Sequence, residues 1–299
     1  NFALKWIEEQ KKSFIRLFIL GDWEKPYLTM DYNSEAIILE EFSKFLLNGS
    51  LYRGSKPVMW SPVEKTALAE AEIEYKDISS KSIYVAFEIS SSKNVLFKNA
   101  EVIIWTTTPW TIPGNQAIAF GKNIDYSLIK IITSTNLDLV KKKYIIASQL
   151  VEQVFEDSEF FEYEVIKTFK GEGLKEIICY HPLKKQGFNQ EVPLLEADFV
   201  DNTEGSGFVH IAPAYGEDDY YLAQKNNISI IDILNDNGTY KKGIPLLEGV
   251  HVFKAHELII EKINLNNKLV RVRQYNHSYP HSWRSKKPII YRATPQWFI

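Results

Sequence analysis

The sequence predicts an α+β fold in which a large β-rich domain, closed like a barrel, lies between shorter mixed segments. Short runs of β-branched and aromatic residues recur from about Lys76 to Tyr275 and alternate with few helical stretches. A chain of 299 residues with 45% hydrophobic content can also bury a substantial core. Together these observations favour antiparallel sheets that close into a barrel-like domain.

The chain divides into three predicted segments, residues 1–75, 76–276 and 277–299. The first begins with two helices separated by a turn at Gly21–Met30, and Ser34 is expected to cap the second helix. A strand and a connector complete this segment, and the last segment is expected to be a return connector. In the β-rich segment the clearest expected elements are strands at 82–87, 126–132 and 143–147 and helices at 216–226 and 255–263.

An unusual stretch, Thr106–Thr108, presents three consecutive hydroxyls at the end of a predicted strand. Val102–Ile104 has the apolar character of a buried strand, while Pro109 and Pro113 cannot continue the hydrogen-bonded ladder. The chain must therefore leave the sheet here, at a place where ligands often bind. On local grounds a half-exposed edge strand explains the threonines equally well, because threonine is a good strand former.

A second unusual stretch, Gly205–Tyr220, repeats this order of strand, proline and polar loop about a hundred residues later. Its acidic residues, including Asp219, open a predicted helix, where they offset the positive end of the helix dipole. Asp219 has a competing interpretation, because a carboxylate beside a cleft can hold the ammonium group of a substrate. His210 lies on the apolar strand, where a single histidine is more often a core residue than a catalyst.

Taken together, these stretches resemble the editing domain that is inserted into class I aminoacyl-tRNA synthetases of the isoleucyl type. Valyl and leucyl relatives carry an arginine after the threonines, whereas Thr108-Pro109-Trp110 is the isoleucyl form. The resemblance extends over nearly the whole chain. Its further segments, in order, are Gly21–Trp23 with Pro26–Met30, Lys56–Trp60, Ala67–Tyr75, His277–Arg284 and Arg292–Phe298.

The resemblance implies a fold and a reaction. The flanking segments would belong to the class I catalytic, Rossmann-like fold, and the β-rich segment would hydrolyse valine from mischarged tRNA(Ile), with valyl-adenylate as a further substrate. Such a second site is needed because a hydrophobic pocket separates substrates that differ by one methylene by only about 1–3 kcal/mol, and isoleucine against valine in this family is the standard illustration. The full-length ligase would attach isoleucine to tRNA with ATP and Mg²⁺. The His-Ile-Gly-His and Lys-Met-Ser-Lys-Ser signatures of ATP binding are absent from this sequence, so no synthetic activity is expected here.

Seven residues receive roles from the resemblance. Asp219 would bind the α-ammonium group, and Thr106, Thr107 and Thr108 would form a polar wall around the ester and the ribose. No catalytic triad is apparent in these two stretches, so oriented binding is expected to carry hydrolysis, with help from the ribose hydroxyl. The remaining three are substrate-binding: His210 would refuse the extra methylene of isoleucine, Asn115 would hold the adenosine or the loop, and Trp105 would pack near the terminal adenine or in the core.

Two departures from the family pattern affect fine specificity, namely Ser206 where threonine is usual and Gly114 where alanine or serine is usual. One alternative function is a non-catalytic module of the same fold that binds the tRNA 3′ end or an amino acid. A general esterase is a third, and it would act on simple esters without tRNA.

Composition sets further expectations. The single cysteine, Cys179, excludes an intramolecular disulfide framework and fits a reducing, cytoplasmic location. Some bacterial relatives carry a cysteine pair at the positions of Ser61 and Glu64, so no metal site is expected. The expected partner is the 3′ end of tRNA(Ile) with its valine moiety, and we expect a monomer without membrane association or a bound cofactor. The net charge of −3 implies weak binding of tRNA by this piece, and both ends are expected to be cut from a longer chain.

Overall fold

The computed structural model of the chain describes residues 1–156 and 161–299. Two units are distinguished, one formed by Asn1–Gly54 with Gln296–Ile299 and the other by Ser55–Pro295. The second unit contains the large sheet and the hydrophobic core. The predicted boundaries at 75/76 and 276/277 fall inside long strands, and the three-domain division stays a prediction.

The described residues form five α-helices and thirteen β-strands. The helices are α1 Phe2–Arg16, α2 Tyr32–Leu47, α3 Val151–Phe155, α4 Glu217–Lys225 and α5 Val252–Leu265. The strands are β1 Tyr52–Ser61, β2 Thr66–Ala67, β3 Ile73–Ser91, β4 Ala100–Thr106, β5 Ala117–Phe120, β6 Asp125–Ser134, β7 Lys143–Ala147, β8 Phe161–Lys170, β9 Ile178–Tyr180, β10 Glu191–Glu196, β11 Phe208–Ile211, β12 Leu269–Ser282 and β13 Ile290–Phe298. All the strands and helices expected in the β-rich segment are present.

The first unit contains α1 and α2, whose side chains are all at least partly exposed. The prediction that Ser34 caps α2 is wrong. Asp31 is the N-cap instead, because its carboxylate accepts a hydrogen bond from the backbone amide of Asn33. The helix therefore begins at Tyr32, and Ser34 lies within its first turn. None of the helices in the described part of the chain is long and apolar enough to cross a membrane.

Ten strands form the large sheet, in the order β12-β3-β9-β10-β5-β11-β4-β7-β6-β8. A further pairing of β3 with β4 joins two strands that are distant in this order. The strands β3, β9, β10, β5, β11 and β4 therefore form a closed ring, and β7, β6 and β8 extend it from β4. This ring confirms the predicted barrel-like domain, since each strand within it has a partner on both sides.

The sequence pattern predicts antiparallel sheets, but the large sheet is mixed. Strand β4 pairs in parallel with both β7 and β11, and β5 pairs in parallel with β10. Parallel neighbours require long connections between them, and here those connections carry turns, helices and further strands. The parallel pairing of β4 with β11 matters for function because it puts the carboxyl ends of both strands at the same edge of the barrel.

The core lies inside this barrel and beneath its extension. Tyr84, Phe87, Ile104, Phe120 and Tyr144 are among its fully or almost fully buried side chains. Such β-branched and aromatic residues suit a pleated surface that is covered on both faces. The long strands β3 and β12 continue beyond the barrel as an antiparallel ribbon, which pairs Ser282 with Ile73 at its far end. A separate sheet has the order β13-β1-β2.

Candidate functional site

The barrel brings the two unusual stretches of sequence together. Strands β4 and β11 are parallel neighbours, with Trp105 opposite Val209. Their carboxyl ends therefore reach the same edge, where Thr106–Thr108 follows one strand and the loop that leads to Asp219 follows the other. Ligands bind commonly at such an edge, because the chain leaves the sheet there and backbone and polar side chains become available.

A cavity of about 360 Å³ opens between these two strand ends. Six of the seven residues predicted to form the site line it, and Asn115 does not. Its lining residues are Trp105, Thr106, Thr107, Thr108, Thr111, Phe199, Asp201, Glu204, Gly205, Gly207, Phe208, Val209, His210, Ala212, Tyr215 and Asp219. The cavity is thus large enough for an amino-acid ester, with a mixed polar and apolar lining.

The three threonines differ in how their hydroxyls are used. Thr106 Oγ1 accepts a hydrogen bond from the backbone amide of Thr108 at 3.1 Å and lies 3.3 Å from Thr108 Oγ1. These bonds shape the turn into the 3₁₀ helix Pro109–Gly114. Within residues 1–156 and 161–299, the hydroxyl of Thr107 has no hydrogen-bond partner. This half-buried side chain lines the cavity. Thr107 is therefore the threonine whose hydroxyl is available to a ligand.

His210 is held between two side chains. Its Nδ1 lies 2.6 Å from Asn115 Nδ2, and its Nε2 lies 3.0 Å from Thr111 Oγ1. The amide of Asn115 is oriented by its second hydrogen bond, in which Nδ2 donates to the carbonyl of Ala117 at 2.9 Å. Nδ2 therefore donates to Nδ1 of His210 as well, and the ring proton lies on Nε2. Thr111 Oγ1 accepts a hydrogen bond from Nε2 of His210 and donates one to the carbonyl of Thr108 at 2.9 Å.

This arrangement keeps His210 neutral. Burial lowers the pKa of His210 to about 3, and the nearby His181 contributes in the same direction. Both ring nitrogens are already hydrogen-bonded, so the imidazole has no free lone pair for a water molecule. His210 can shape the cavity and hold the threonine turn, but it is not arranged as a general base.

Asn115 and Thr111 thus have clear structural tasks. Asn115 is fully buried behind His210 and fixes the ring's tautomer. Its hydrogen bonds go to the carbonyl of Ala117 and to His210, and its role toward the loop or the adenosine stays a prediction. Thr111 was missed by sequence reasoning, although its position within the same threonine-rich stretch was a signal that could have found it.

Asp219 lies in the first turn of α4, after the N-cap Gly216. Its Oδ2 accepts a hydrogen bond from the backbone amide of Ala212 at 2.7 Å. Burial raises the pKa of Asp219 to about 6, although the amide of Ala212 opposes this change. The carboxyl group is therefore mostly ionised at neutral pH, and a cation in the cavity would stabilise its charged form.

Further residues at the cavity were not predicted. Glu204 Oε1 accepts a hydrogen bond from the hydroxyl of Tyr275 at 2.8 Å, and the ring of Tyr275 contacts Trp105 edge to face at 5.3 Å. Asp201 and Phe199 also line the cavity. Trp105 is half-buried, which leaves part of the indole available to a ligand. These residues come from the loop before β11 and from distant β12, so sequence proximity gave no signal for Tyr275.

Glycines set how closely the backbone approaches the cavity. Gly207 has φ +77°, and a Cβ atom there would lie 2.3 Å from the Cβ of Ala147. Gly205 has φ +74° and would place a Cβ 3.3 Å from Trp105. Between them, Ser206 stands where threonine is expected and is fully buried, so this difference changes the packing next to the cavity. At the other departure, Gly114, a Cβ would lie 2.8 Å from the ring of Tyr215.

Ser61 and Glu64 belong to a hydrogen-bonded cluster with Ser282. The hydroxyls of Ser61 and Ser282 both donate hydrogen bonds to the carboxylate of Glu64, the second at 3.3 Å. Burial raises the pKa of Glu64, but hydrogen bonds from Ser61, Ser285 and Ser282 outweigh this effect, so the pKa lies below its usual value. Across residues 1–156 and 161–299, no three His, Cys, Asp or Glu side chains are grouped so as to hold a metal ion.

Comparison with known proteins places the chain in a family. The family model described as tRNA synthetases class I (I, L, M and V) matches residues 1–299. The isoleucine–tRNA ligase of Pelagibacter ubique is 49% identical over 299 residues, which is 100% of this chain and 33% of that ligase. The chain therefore spans about a third of the length of this relative.

Two solved structures are similar to a part of this chain. The crystal structure of GlLeuRS-CP1 is 13% identical with a TM-score of 0.50, and the match covers 66% of this chain and all of that one. The P. knowlesi cytosolic leucyl-tRNA synthetase editing domain is 12% identical with a TM-score of 0.47, covering 66% of this chain and 97% of that chain. The likeness to GlLeuRS-CP1 confirms the predicted fold. Since the family model covers every residue of the sequence, the chain belongs to the class I tRNA synthetases.

Proposed function

We propose that this chain edits mischarged tRNA(Ile) by hydrolysing the ester that joins valine to the terminal ribose. The observation that carries the proposal is that Asp219 and the threonine turn, Thr106–Thr108, line one cavity of about 360 Å³. The carboxylate of Asp219 suits the α-ammonium group of an aminoacyl ester, and a charge-assisted hydrogen bond fixes both position and orientation. The hydroxyl of Thr107 suits the ester carbonyl or the ribose, and the neighbouring threonines hold it in place.

The reaction needs few chemical steps. A water molecule adds to the ester carbonyl carbon, and the bond from that carbon to the ribose oxygen breaks. The water's proton ends on the leaving ribose oxygen, so the products are valine and tRNA with a free 3′ end. With His210 neutral and fully hydrogen-bonded, positioning supplies the catalysis: Asp219 holds the ammonium group, and Thr107 offers its hydroxyl to the carbonyl oxygen or the ribose. The adjacent ribose hydroxyl assists the proton transfer.

His210 is the residue that we assign to selectivity. Its ring is fixed by Asn115 and Thr111, so the part of the cavity that it lines cannot yield to a longer side chain. A fixed wall discriminates by exclusion, which is the form of selection that an editing site needs, since valine must enter and isoleucine must not. Valyl-adenylate carries the same ammonium group and is a second substrate.

The relatives suggest the larger context. We propose that the whole protein attaches isoleucine to tRNA(Ile) with ATP and Mg²⁺, as the name of the Pelagibacter ubique ligase implies for that protein. Within it, this chain would receive the tRNA 3′ end and carry no synthetic activity. We also propose that it acts in the cytoplasm as part of a monomer and uses no cofactor for editing.

One observation favours a second candidate, a non-catalytic module that binds the tRNA 3′ end. Among the described residues that line the cavity, His210 is the only imidazole and it is not arranged as a base. The two candidates differ in a deacylation assay with valyl-tRNA(Ile) and isoleucyl-tRNA(Ile).

Editing predicts that the chain hydrolyses the valyl ester and spares the isoleucyl ester, and that Asp219→Ala lowers valyl hydrolysis strongly. Equal, negligible rates for both proteins would favour the binding module. Turnover of simple esters without tRNA dependence would instead indicate a general esterase.

A further inference from the structure

Arg292, in strand β13, is an unusual residue because its guanidinium is buried away from the cavity. The side chain is only 5% exposed. Its Nη1 donates to Asp236 Oδ1 at 2.6 Å, and its Nη2 donates to Asp232 Oδ2 at 2.8 Å and to the carbonyl of Leu234 at 3.2 Å. The guanidinium also lies over the ring of Trp60 at 5.0 Å. Burying a charge is costly unless it is paired, and here Asp232 also binds Lys241 Nζ at 3.1 Å while the side chain of Asp236 is 67% exposed, so the guanidinium is the most buried charge of this group.

Asp232 connects this buried pair to the cavity. The hydroxyl of Tyr215 donates a hydrogen bond to Asp232 Oδ1 at 3.3 Å and accepts one from the backbone amide of Ile233 at 2.8 Å. Burial and the charge of Asp232 raise the pKa of Tyr215, so the hydroxyl stays protonated as a donor. The ring of Tyr215 lines the cavity and contacts Trp110 edge to face at 5.3 Å.

The backbone of β13 makes a second connection to the same place. The amide of Ala293, directly after Arg292, donates to the carbonyl of Ala214 at 2.6 Å. Ala214 lies between Tyr215 and Ala212, and the amide of Ala212 is the group that holds the carboxylate of Asp219. Two adjacent residues of β13 therefore fix the segment Ala212–Tyr215, one through its backbone and one through a buried ion pair.

We infer that Arg292 is a positioning residue of the cavity, which acts through Asp232 and Tyr215 to hold the segment Ala212–Tyr215 and, with it, Asp219. The inference rests on the proposed function for its kinetic consequence, but the structural link can be tested separately. Among the described residues, the side chain of Arg292 contacts Asp236, Asp232, Leu234 and Trp60, and none of these four lines the cavity. Its effect should therefore fall on the binding of the ammonium group and not on the reacting bond.

The test compares three variants of the full chain. Arg292→Met removes the charge but keeps much of the side-chain volume, and Arg292→Lys keeps a charge that can reach one carboxylate. Lys268→Met is the matched control, because Lys268 forms a similar ion pair with the buried Glu101 at 2.5 Å, at the opposite end of β4 from the cavity. For each protein, kcat and KM for valyl-tRNA(Ile) deacylation, the melting temperature and amide hydrogen exchange are measured below the melting transition.

We expect Arg292→Met to raise KM about tenfold with a smaller change in kcat, and to speed amide exchange at Ala212. Arg292→Lys should recover part of both effects, while Lys268→Met should lower the melting temperature and leave KM and exchange at Ala212 unchanged. A merely structural role for Arg292 would appear as a lower melting temperature with unchanged KM and unchanged exchange, and that result would overturn the inference. If the wild-type chain hydrolyses no valyl ester, the proposed function fails, and the exchange data alone decide whether Arg292 positions the segment.

Discussion

Replacing Asp219 by asparagine separates the charge of this residue from its shape. The side chain keeps its size, and its amide oxygen can still accept the hydrogen bond that the carboxylate now receives from Ala212. What is lost is the negative charge offered to the substrate's ammonium group. Asp218→Asn is the matched control, because Asp218 is an exposed neighbour in the same helical turn.

The size of the effect follows from the contact that is lost. A hydrogen bond to a charged group contributes about 1.5–3 kcal/mol, and each 1.4 kcal/mol corresponds to a tenfold change in rate. We therefore expect Asp219→Asn to lower kcat/KM for valyl-tRNA(Ile) deacylation by about 10- to 150-fold at pH 7.5. Asp218→Asn should stay within about twofold of the wild type, since it removes a solvated charge outside the cavity.

The pH dependence provides a second readout. Because the pKa of Asp219 is about 6, its carboxylate becomes protonated as the pH falls through this value. The wild-type kcat/KM should then fall about tenfold per pH unit below pH 6, and the Asn variant should lack this acid limb. A variant that keeps the same acid limb, or that retains full kcat/KM at pH 7.5, would refute the assignment of Asp219.

The same substitution should change stability in the opposite direction. The folded-state pKa of Asp219 is raised from 3.8 to about 6 by burial, so the contribution of this group to stability is greatest below pH 3.8 and is lost as the pH rises through 6. At pH 7 the folded chain therefore holds an unfavourable buried charge. Removing it should raise the free energy of unfolding by on the order of 1–2 kcal/mol, after allowance for partial solvent screening, as measured by urea denaturation.

Three further predictions concern the surroundings of the cavity. Thr111→Val leaves the Nε2 proton of His210 without an acceptor, so it should lower the free energy of unfolding in urea by about 1–3 kcal/mol. It should also increase hydrolysis of isoleucyl-tRNA(Ile) relative to valyl-tRNA(Ile), and an unchanged ratio would contradict the role of His210 in selectivity. Gly207→Ala, at φ +77° with a clash at 2.3 Å, should cost about 2–4 kcal/mol, whereas Gly243→Ala, at φ +85° with no atom within 4 Å, should cost only about 1–2 kcal/mol. Glu64→Ala should lower the melting temperature at pH 7, because the pKa of Glu64 is lower in the folded chain than its unfolded value of 4.5 and the ionised carboxylate therefore stabilises the fold. This effect should shrink progressively as the pH falls below 4.5, and an effect that is independent of pH would show that the charge of Glu64 does not matter.

Local patterns were sufficient to predict most elements of the barrel. The apolar run at Val102–Ile104 lies in β4, and the acidic residues up to Asp219 open α4, as their composition suggested. The predicted cap at Ser34 was wrong because Asp31 and Ser34 are both suitable N-cap residues, and only the folded structure shows that Asp31 accepts the hydrogen bond from the amide of Asn33. The parallel pairs escaped prediction because strand direction depends on connections, not on the composition of the strand itself.

The sequence by itself determined which residues we propose for the site, since hydroxyls placed directly before a proline and a carboxylate at a helix start are visible without a structure. Only the tertiary structure decided how they can act. Burial gives Asp219 a pKa of about 6 and His210 a pKa of about 3, and these values depend on atoms contributed by distant segments. Likewise, no pattern links Arg292 to Tyr215, because their connection depends on the approach of strand β13 to the loop that carries Asp232, and not on separation along the chain.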